Sequence, residues 1–143
     1  MDGGLSVGVD RNYLRSRIRE ARDAMSNMLR ISAKPFESLT LDEKYSMRYQ
    51  VVVLAEALGS ICLHIALNEL GREPESYSEC FALVSEKGFF RCLEDLVSVV
   101  RLRNLLVHRY WIVDDSRIHR SVLENFKCIE EFLGEVERRY GLR

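Results

Sequence analysis

The chain has 143 residues and a net charge of −1, with 47% apolar and 30% charged residues. This length suits one domain with a single core, and the composition is typical of a globular protein. The near-zero net charge excludes a protein that holds nucleic acid through a basic surface covering the whole molecule. Two prolines and eight glycines interrupt the chain, and so few helix breakers favour long helices.

The N-terminal half predicts a short tail followed by two long helices. Residues 1–9 are rich in glycine and are expected to form a flexible tail, with a single domain over residues 10–143. Asp10 is a suitable N-cap for a helix that runs to about Ile31. Thr40 and Glu43 have the spacing of a capping box, which opens a second helix that we expect to end at Gly71.

The second helix contains the most apolar stretch of the chain, from Val51 to Leu67. A membrane span needs about 20 predominantly apolar residues, and this stretch carries Glu56 and His64. A carboxylate is costly at the centre of a bilayer, so we interpret the stretch as a central core helix and expect no membrane association. Glu56 and His64 are expected to form a buried polar pair.

The C-terminal half predicts one short helix and two long ones. Together with the first half this gives an all-α fold, an up-and-down bundle of four long helices plus one short helix. A short helix is expected over Glu79–Glu86, capped by Ser76 or Ser78, and a long helix from near Phe89 to His108. A connector over Trp111–Asp115 follows. The last helix is expected to be capped by Asp115 or Ser116 and to end at Gly141.

The four cysteines indicate neither a metal site nor a disulfide framework. Their spacing contains no CxxC pair and no Cys/His pattern typical of zinc. Each falls on a predicted apolar helix face, where an unpaired thiol behaves as a small hydrophobic group. We therefore expect buried, reduced cysteines, no metal or other cofactor, and a cytoplasmic protein. The residues concerned are Cys62, Cys80, Cys92 and Cys128.

The candidate active site lies where the fourth helix ends. Arg103, Asn104, His108 and Tyr110 alternate there with Leu and Val, and such a polar cluster suits the binding of phosphate. Histidine can remove the proton from a ribose 2′-hydroxyl near neutral pH. Arginine can hold two phosphate oxygens at once. Asn104 could orient the histidine or the phosphate, and Tyr110 could donate a hydrogen bond or stack on a base.

Helix geometry complicates the pairing of Arg103 with His108. Five residues on an ideal helix turn through about 500°, which leaves the two side chains roughly 140° apart. Either the helix unwinds before His108, or two subunits complete one cleft. Arg101, seven residues before His108, nearly shares a face with it. It is the alternative catalytic arginine, whereas the preferred choice is Arg103 with Arg101 as a phosphate-positioning candidate. Trp111 is expected to be a core anchor, and His119 is expected to be solvated.

The motif resembles that of the HepT ribonuclease toxins of the HEPN superfamily. Arg103, His108 and Tyr110 fit their R-x4-H-x-Y pattern, and Asn104 matches the polar residue after the arginine. The segment EALGSICLHI beginning at Glu56 is similar to the family's central helix, and the segment from Gly71 to Phe81 is similar to its Gly…Pro-x-Ser-Tyr…Phe linker. The resemblance covers roughly residues 10–140.

The resemblance implies a homodimeric, metal-independent endoribonuclease toxin with an RNA substrate. It also implies an antitoxin of the minimal nucleotidyltransferase (MNT) type, which can transfer AMP to the motif tyrosine, here Tyr110. The catalytic residues would be Arg103, His108 and Asn104, with Arg101 and Tyr110 positioning RNA. Two alternatives remain: a non-catalytic dimeric binding partner of a nucleotidyltransferase, and a substrate-binding subunit of such an enzyme.

Overall fold

The computed structural model describes residues 8–143, which form an all-α bundle. Its α-helices are α1 (Arg11–Ser32), α2 (Leu41–Asn68), α3 (Tyr77–Glu86), α4 (Leu93–His108) and α5 (Asp115–Tyr140), with short 3-10 turns at Phe36–Ser38 and Tyr110–Ile112. The predicted class, four long helices and one short helix, is confirmed. Residues 1–7 of the predicted tail lie outside the described residues, and Val9 packs against the core.

Local capping explains where the helices begin. Asp10 accepts a hydrogen bond from the backbone N–H of Tyr13, and Thr40 and Glu43 form a reciprocal capping box, which satisfies N–H groups that the first turn leaves unpaired. Ser76 is the cap of α3. Asp114 caps α5, so the expectation of Asp115 or Ser116 at this position is wrong.

Three predicted helix bounds differ from the structure. The third helix begins at Tyr77, two residues before the expected Glu79. The second helix ends at Asn68, because its last turn is wider than an α-helical turn. The N–H of Leu70 bonds to the carbonyl of Ile65, five residues earlier, and Gly71 then adopts a φ of 63°. The fourth helix begins only at Leu93. Phe90, expected inside it, is instead a buried core residue that contacts Phe132.

The centre of the bundle is α2, which packs against all four other α-helices. It is long and apolar enough to span a membrane by length and composition, but its core residues are covered by neighbouring helices. Leu54, Leu58, Ile61 and Ile65 are almost completely buried. The interpretation of α2 as a core helix agrees with this packing, since burial from several sides requires apolar residues around most of the helix.

Cys92 and Cys128 form a disulfide that joins the start of α4 to α5, with Cα atoms 5.9 Å apart. This separation lies within the range that a disulfide requires. The expectation that all four cysteines are unpaired is therefore wrong for this pair, whereas Cys62 and Cys80 are buried thiols as predicted. Their distant positions in the sequence concealed the pairing, because only the packing of α4 on α5 brings residues 92 and 128 together.

Reduction of this disulfide is expected to destabilise the fold. Opening a loop closed over 36 residues increases the conformational freedom of the unfolded chain, and the expected loss is about 3–4 kcal/mol of unfolding free energy. Denaturant unfolding with and without a thiol reductant measures the difference. A Cys92→Ala/Cys128→Ala variant should not respond to the reductant. Equal stability of the wild type in both buffers would contradict the prediction.

Candidate active site

Arg103 is fixed on α4 by contacts to two side chains. Its Nη1 donates a hydrogen bond to Oδ1 of Asn104 at 2.9 Å, and its Nη2 lies 2.6 Å from Oε2 of Glu56 on α2. The contact with Glu56 is an ion pair and not a hydrogen bond. Within residues 8–143, the buried Nε of Arg103 has no hydrogen-bond partner, so the guanidinium retains unused donor capacity.

A groove of about 360 Å³ opens beside Arg103 and Asn104, between α4 and the start of α3. Tyr77, the first residue of α3, lines it together with Ser76 and Ser78. Burial, followed by the nearby charge of Glu56, raises the pKa of Tyr77, so its hydroxyl stays protonated at neutral pH. The groove thus combines the Arg103 guanidinium with neutral hydroxyl and amide groups, and the carboxylate of Glu75 also lines it. The guanidinium is the group in this lining that suits an anion.

Gly59 allows Tyr77 to approach α2. A Cβ atom at position 59 would lie 2.5 Å from the Tyr77 ring, far inside van der Waals contact. The absence of a side chain at position 59 therefore lets the ring lie against α2 one turn beyond Glu56. Sequence reasoning overlooked this contact, although a glycine in the middle of a strongly apolar helix is a recognised indication of close packing.

His108 is the last residue of α4 and is exposed. The helix remains regular up to this residue: the N–H of Arg109 still bonds to the carbonyl of Leu105 at 2.7 Å. The helix therefore does not unwind between Arg103 and His108, and the first of the two geometric alternatives is wrong. Within the described part of one chain, no hydrogen bond or ion pair joins His108 to Arg103.

Arg101 lies on a different side of α4 from Arg103 and lines a different cavity. It lines a cavity of about 170 Å³ with Leu54, Val99 and Phe126, and Arg117 lines the same cavity. The structure thus brings Arg103 and Asn104 together in one groove and leaves Arg101 outside it. Of the two arginines considered from the sequence, Arg103 is the one held by polar contacts to neighbouring side chains.

The turn after α4 is exposed and apolar. Tyr110 is 61% exposed and Trp111 is 67% exposed, and the two rings make an edge contact. The expectation that Trp111 is a core anchor is therefore wrong: the chain turns back through a single 3-10 turn, which leaves the indole outside the bundle. Val107 and Ile112 are also about half exposed.

Arg48 anchors this exposed turn to α2. Its Nε and Nη2 bond to the carboxylate of Asp115 at 2.7 and 3.1 Å, and its Nη1 donates to the backbone carbonyl of Tyr110 at 3.2 Å. A bidentate pair of this kind fixes orientation. Sequence reasoning overlooked Arg48, because its partners lie more than 60 residues away.

The other two histidines have structural contacts of their own. Nε2 of His64 accepts a hydrogen bond from the backbone N–H of Asp10 at 2.9 Å, so the expected pairing of His64 with Glu56 is wrong. His119 is half-buried and bonds to the carbonyl of Lys34 at 2.8 Å, so the expected solvated position is also wrong. Both imidazoles join distant segments, which leaves His108 as the exposed histidine of the described chain.

Comparison with known structures agrees with this fold. A tri-AMPylated Shewanella oneidensis HEPN toxin in complex with MNT antitoxin has a TM-score of 0.80 at 17% identity, over 88% of this chain and 97% of that one. A chain from a toxin–antitoxin structure with AMP-PNP has a TM-score of 0.79 at 17% identity, over 89% and 98%. The Bacillus subtilis cytosolic protein YutE, of unknown function, has a TM-score of 0.72 at 16% identity, over 88% of this chain and 89% of that one.

No curated protein matches the chain in sequence. A family model does match it, described as ribonuclease HepT-like and covering residues 18–136. The matched range contains the whole groove and the motif from Arg103 to Tyr110. The chain belongs to the ribonuclease HepT-like family.

Proposed function

We propose that the protein is a metal-independent endoribonuclease toxin, with His108 and Arg103 acting on one RNA phosphodiester. His108 takes the proton from a ribose 2′-hydroxyl, and the resulting oxygen attacks the adjacent phosphorus. The P–O5′ bond breaks and the leaving oxygen takes a proton from water, which gives a 2′,3′-cyclic phosphate on one product and a 5′-hydroxyl on the other. His108 then releases its proton to the solvent. Arg103 stabilises the charge that develops on the phosphate oxygens, and Asn104 holds the guanidinium.

The observation that carries the proposal is the arrangement along α4. A tethered Arg103 lines an open groove, and an exposed histidine ends the same helix, with no side-chain hydrogen bond or ion pair to any of residues 8–143. Family membership supports the chemistry. Exposure suits a general base, since its imidazole must reach the substrate and exchange protons with water.

We also propose a homodimer in which the site is completed across the subunit interface. Arg103 and His108 lie about 140° apart around a regular helix, so one α4 does not present both to the same phosphate. The exposed apolar turn beside His108 supports this arrangement, because a contiguous apolar patch on a protein surface is typical of an interaction site. Arg101 would then contact RNA away from the reacting phosphate.

An antitoxin of the MNT type is the proposed inhibitor, through transfer of AMP to Tyr110. The Tyr110 side chain is 61% exposed and lies two residues beyond His108, within reach of a modifying enzyme. A bulky anionic group attached there would repel RNA phosphate and cover the site. The AMPylated HEPN toxin among the similar structures supports this assignment. We place the system in the cytoplasm because the similar YutE protein is described as cytosolic. Cys92 and Cys128, which form a disulfide and are not reduced thiols, do not support this location.

Expression of this chain alone in a bacterial host tests the proposal. The wild type is expected to arrest growth and the His108→Ala variant is expected not to, at equal protein levels on an immunoblot. Co-expression of an MNT-type nucleotidyltransferase should restore growth. Unaffected growth with well-expressed wild type would contradict the toxin and favour the non-catalytic binding partner.

A further inference from the structure

Glu56 is the one carboxylate in the apolar stretch from Val51 to Leu67 of α2. Its neighbours Ala55 and Ala57 are buried, and the Glu56 side chain is 43% exposed. Its Oε2 lies 2.6 Å from Nη2 of Arg103. This oxygen atom is itself buried, and a buried carboxylate oxygen needs a partner of opposite sign. The partner here is the proposed catalytic arginine.

Two nitrogen atoms of the Arg103 guanidinium have partners, and the third, Nε, has none within residues 8–143. Asn104 accepts from Nη1 and the Glu56 carboxylate pairs with Nη2. An arginine side chain has many rotamers in solution, but these two contacts approach it from two different helices, α2 and α4. Arg103 therefore reaches the groove in one orientation before any substrate is bound.

We propose that Glu56 is a positioning residue that orients Arg103 for RNA cleavage, an inference that rests on the function proposed above. A negative charge at this place repels RNA phosphate and so opposes substrate binding. The benefit of Glu56 must therefore lie in the geometry of Arg103 during the reaction, where small displacements of a charge-stabilising group are costly.

This reasoning predicts which kinetic constant changes. In the Glu56→Gln variant the shape of the side chain is kept and its charge is lost, so Arg103 becomes mobile while the repulsion of RNA is relieved. We expect kcat to fall by about 10- to 100-fold, with KM for RNA unchanged or lower. Glu56→Asp keeps the charge on a shorter side chain and is expected to recover part of kcat.

Glu20→Gln is the matched control. Glu20 lies on α1 and lines the same surface depression as Glu56, but its ion pair is with Arg17 at 3.0 Å. The Glu20→Gln variant removes one negative charge from the same region and leaves the contacts of Arg103 intact, so kcat should stay at the wild-type value. An equal loss of kcat in both variants would overturn the inference.

A second measurement is independent of nuclease activity. Unfolding midpoints of Glu56→Gln, Arg103→Gln and the double variant form a double-mutant cycle, and their effects should not be additive if the two side chains interact. Additive effects would overturn the inference. If the wild type is active and Glu56→Gln has an unchanged kcat, only the inferred role of Glu56 is overturned. If the wild type is inactive, the proposed function is refuted, and the inferred role of Glu56 with it.

Discussion

RNA cleavage is expected to fall by about 100- to 10,000-fold when His108 is replaced by alanine, because a general base contributes on this scale. His108 is exposed at the end of α4, and no hydrogen bond within residues 8–143 depends on its side chain. The substitution should therefore leave helicity and the unfolding midpoint unchanged. Cleavage of a fluorescently labelled RNA by purified protein, with circular dichroism on the same samples, measures both quantities.

Arg103→Ala is expected to give a loss of similar size, about 100- to 1,000-fold, because the donor to the phosphate oxygens is removed. His119→Gln is the control, since His119 bonds to the carbonyl of Lys34 and has no role in the proposed reaction. Its activity should stay near that of the wild type. Full activity in His108→Ala would refute the assignment of the base, and so would an equal loss in His119→Gln.

Mixing the two inactive variants is expected to restore activity. If each site takes Arg103 from one subunit and His108 from the other, a heterodimer of Arg103→Ala and His108→Ala chains contains one intact site. Random pairing makes half of the dimers mixed, so the recovered activity should approach about one quarter of the wild-type value. The two variants are unfolded, refolded together and assayed against each variant refolded alone.

The same experiment distinguishes the two ways of building the site. If both residues act from one chain, every subunit in the mixture carries a defect, and activity should stay at the background of the separate variants. Size-exclusion chromatography with light scattering provides the control, because the mixture and the wild type should have the same dimer mass. A dimer of the correct mass without recovered activity would contradict a shared site.

The helices themselves could be predicted from the sequence because their signals are local. Apolar spacing, the capping residues Asp10 and Thr40, and the terminating Gly141 each act within a few residues. The motif from Arg103 to Tyr110 is also contiguous, and the family resemblance depended on it. The helix ends near Gly71 and Phe89 could not be predicted in this way, because a wide backbone turn and the core packing of an aromatic side chain decided these bounds.

The partners of the charged and aromatic groups were decided only by the tertiary structure. Glu56 pairs with Arg103 rather than His64, and Cys92 meets Cys128. Trp111 lies outside the core. These outcomes depend on how helices pack around α2, and residues 36 to 47 positions apart in the chain carry no local signal of their contact. A helix pattern fixes which face is apolar, whereas the choice of ionic or sulfur partner depends on distances set by the whole bundle.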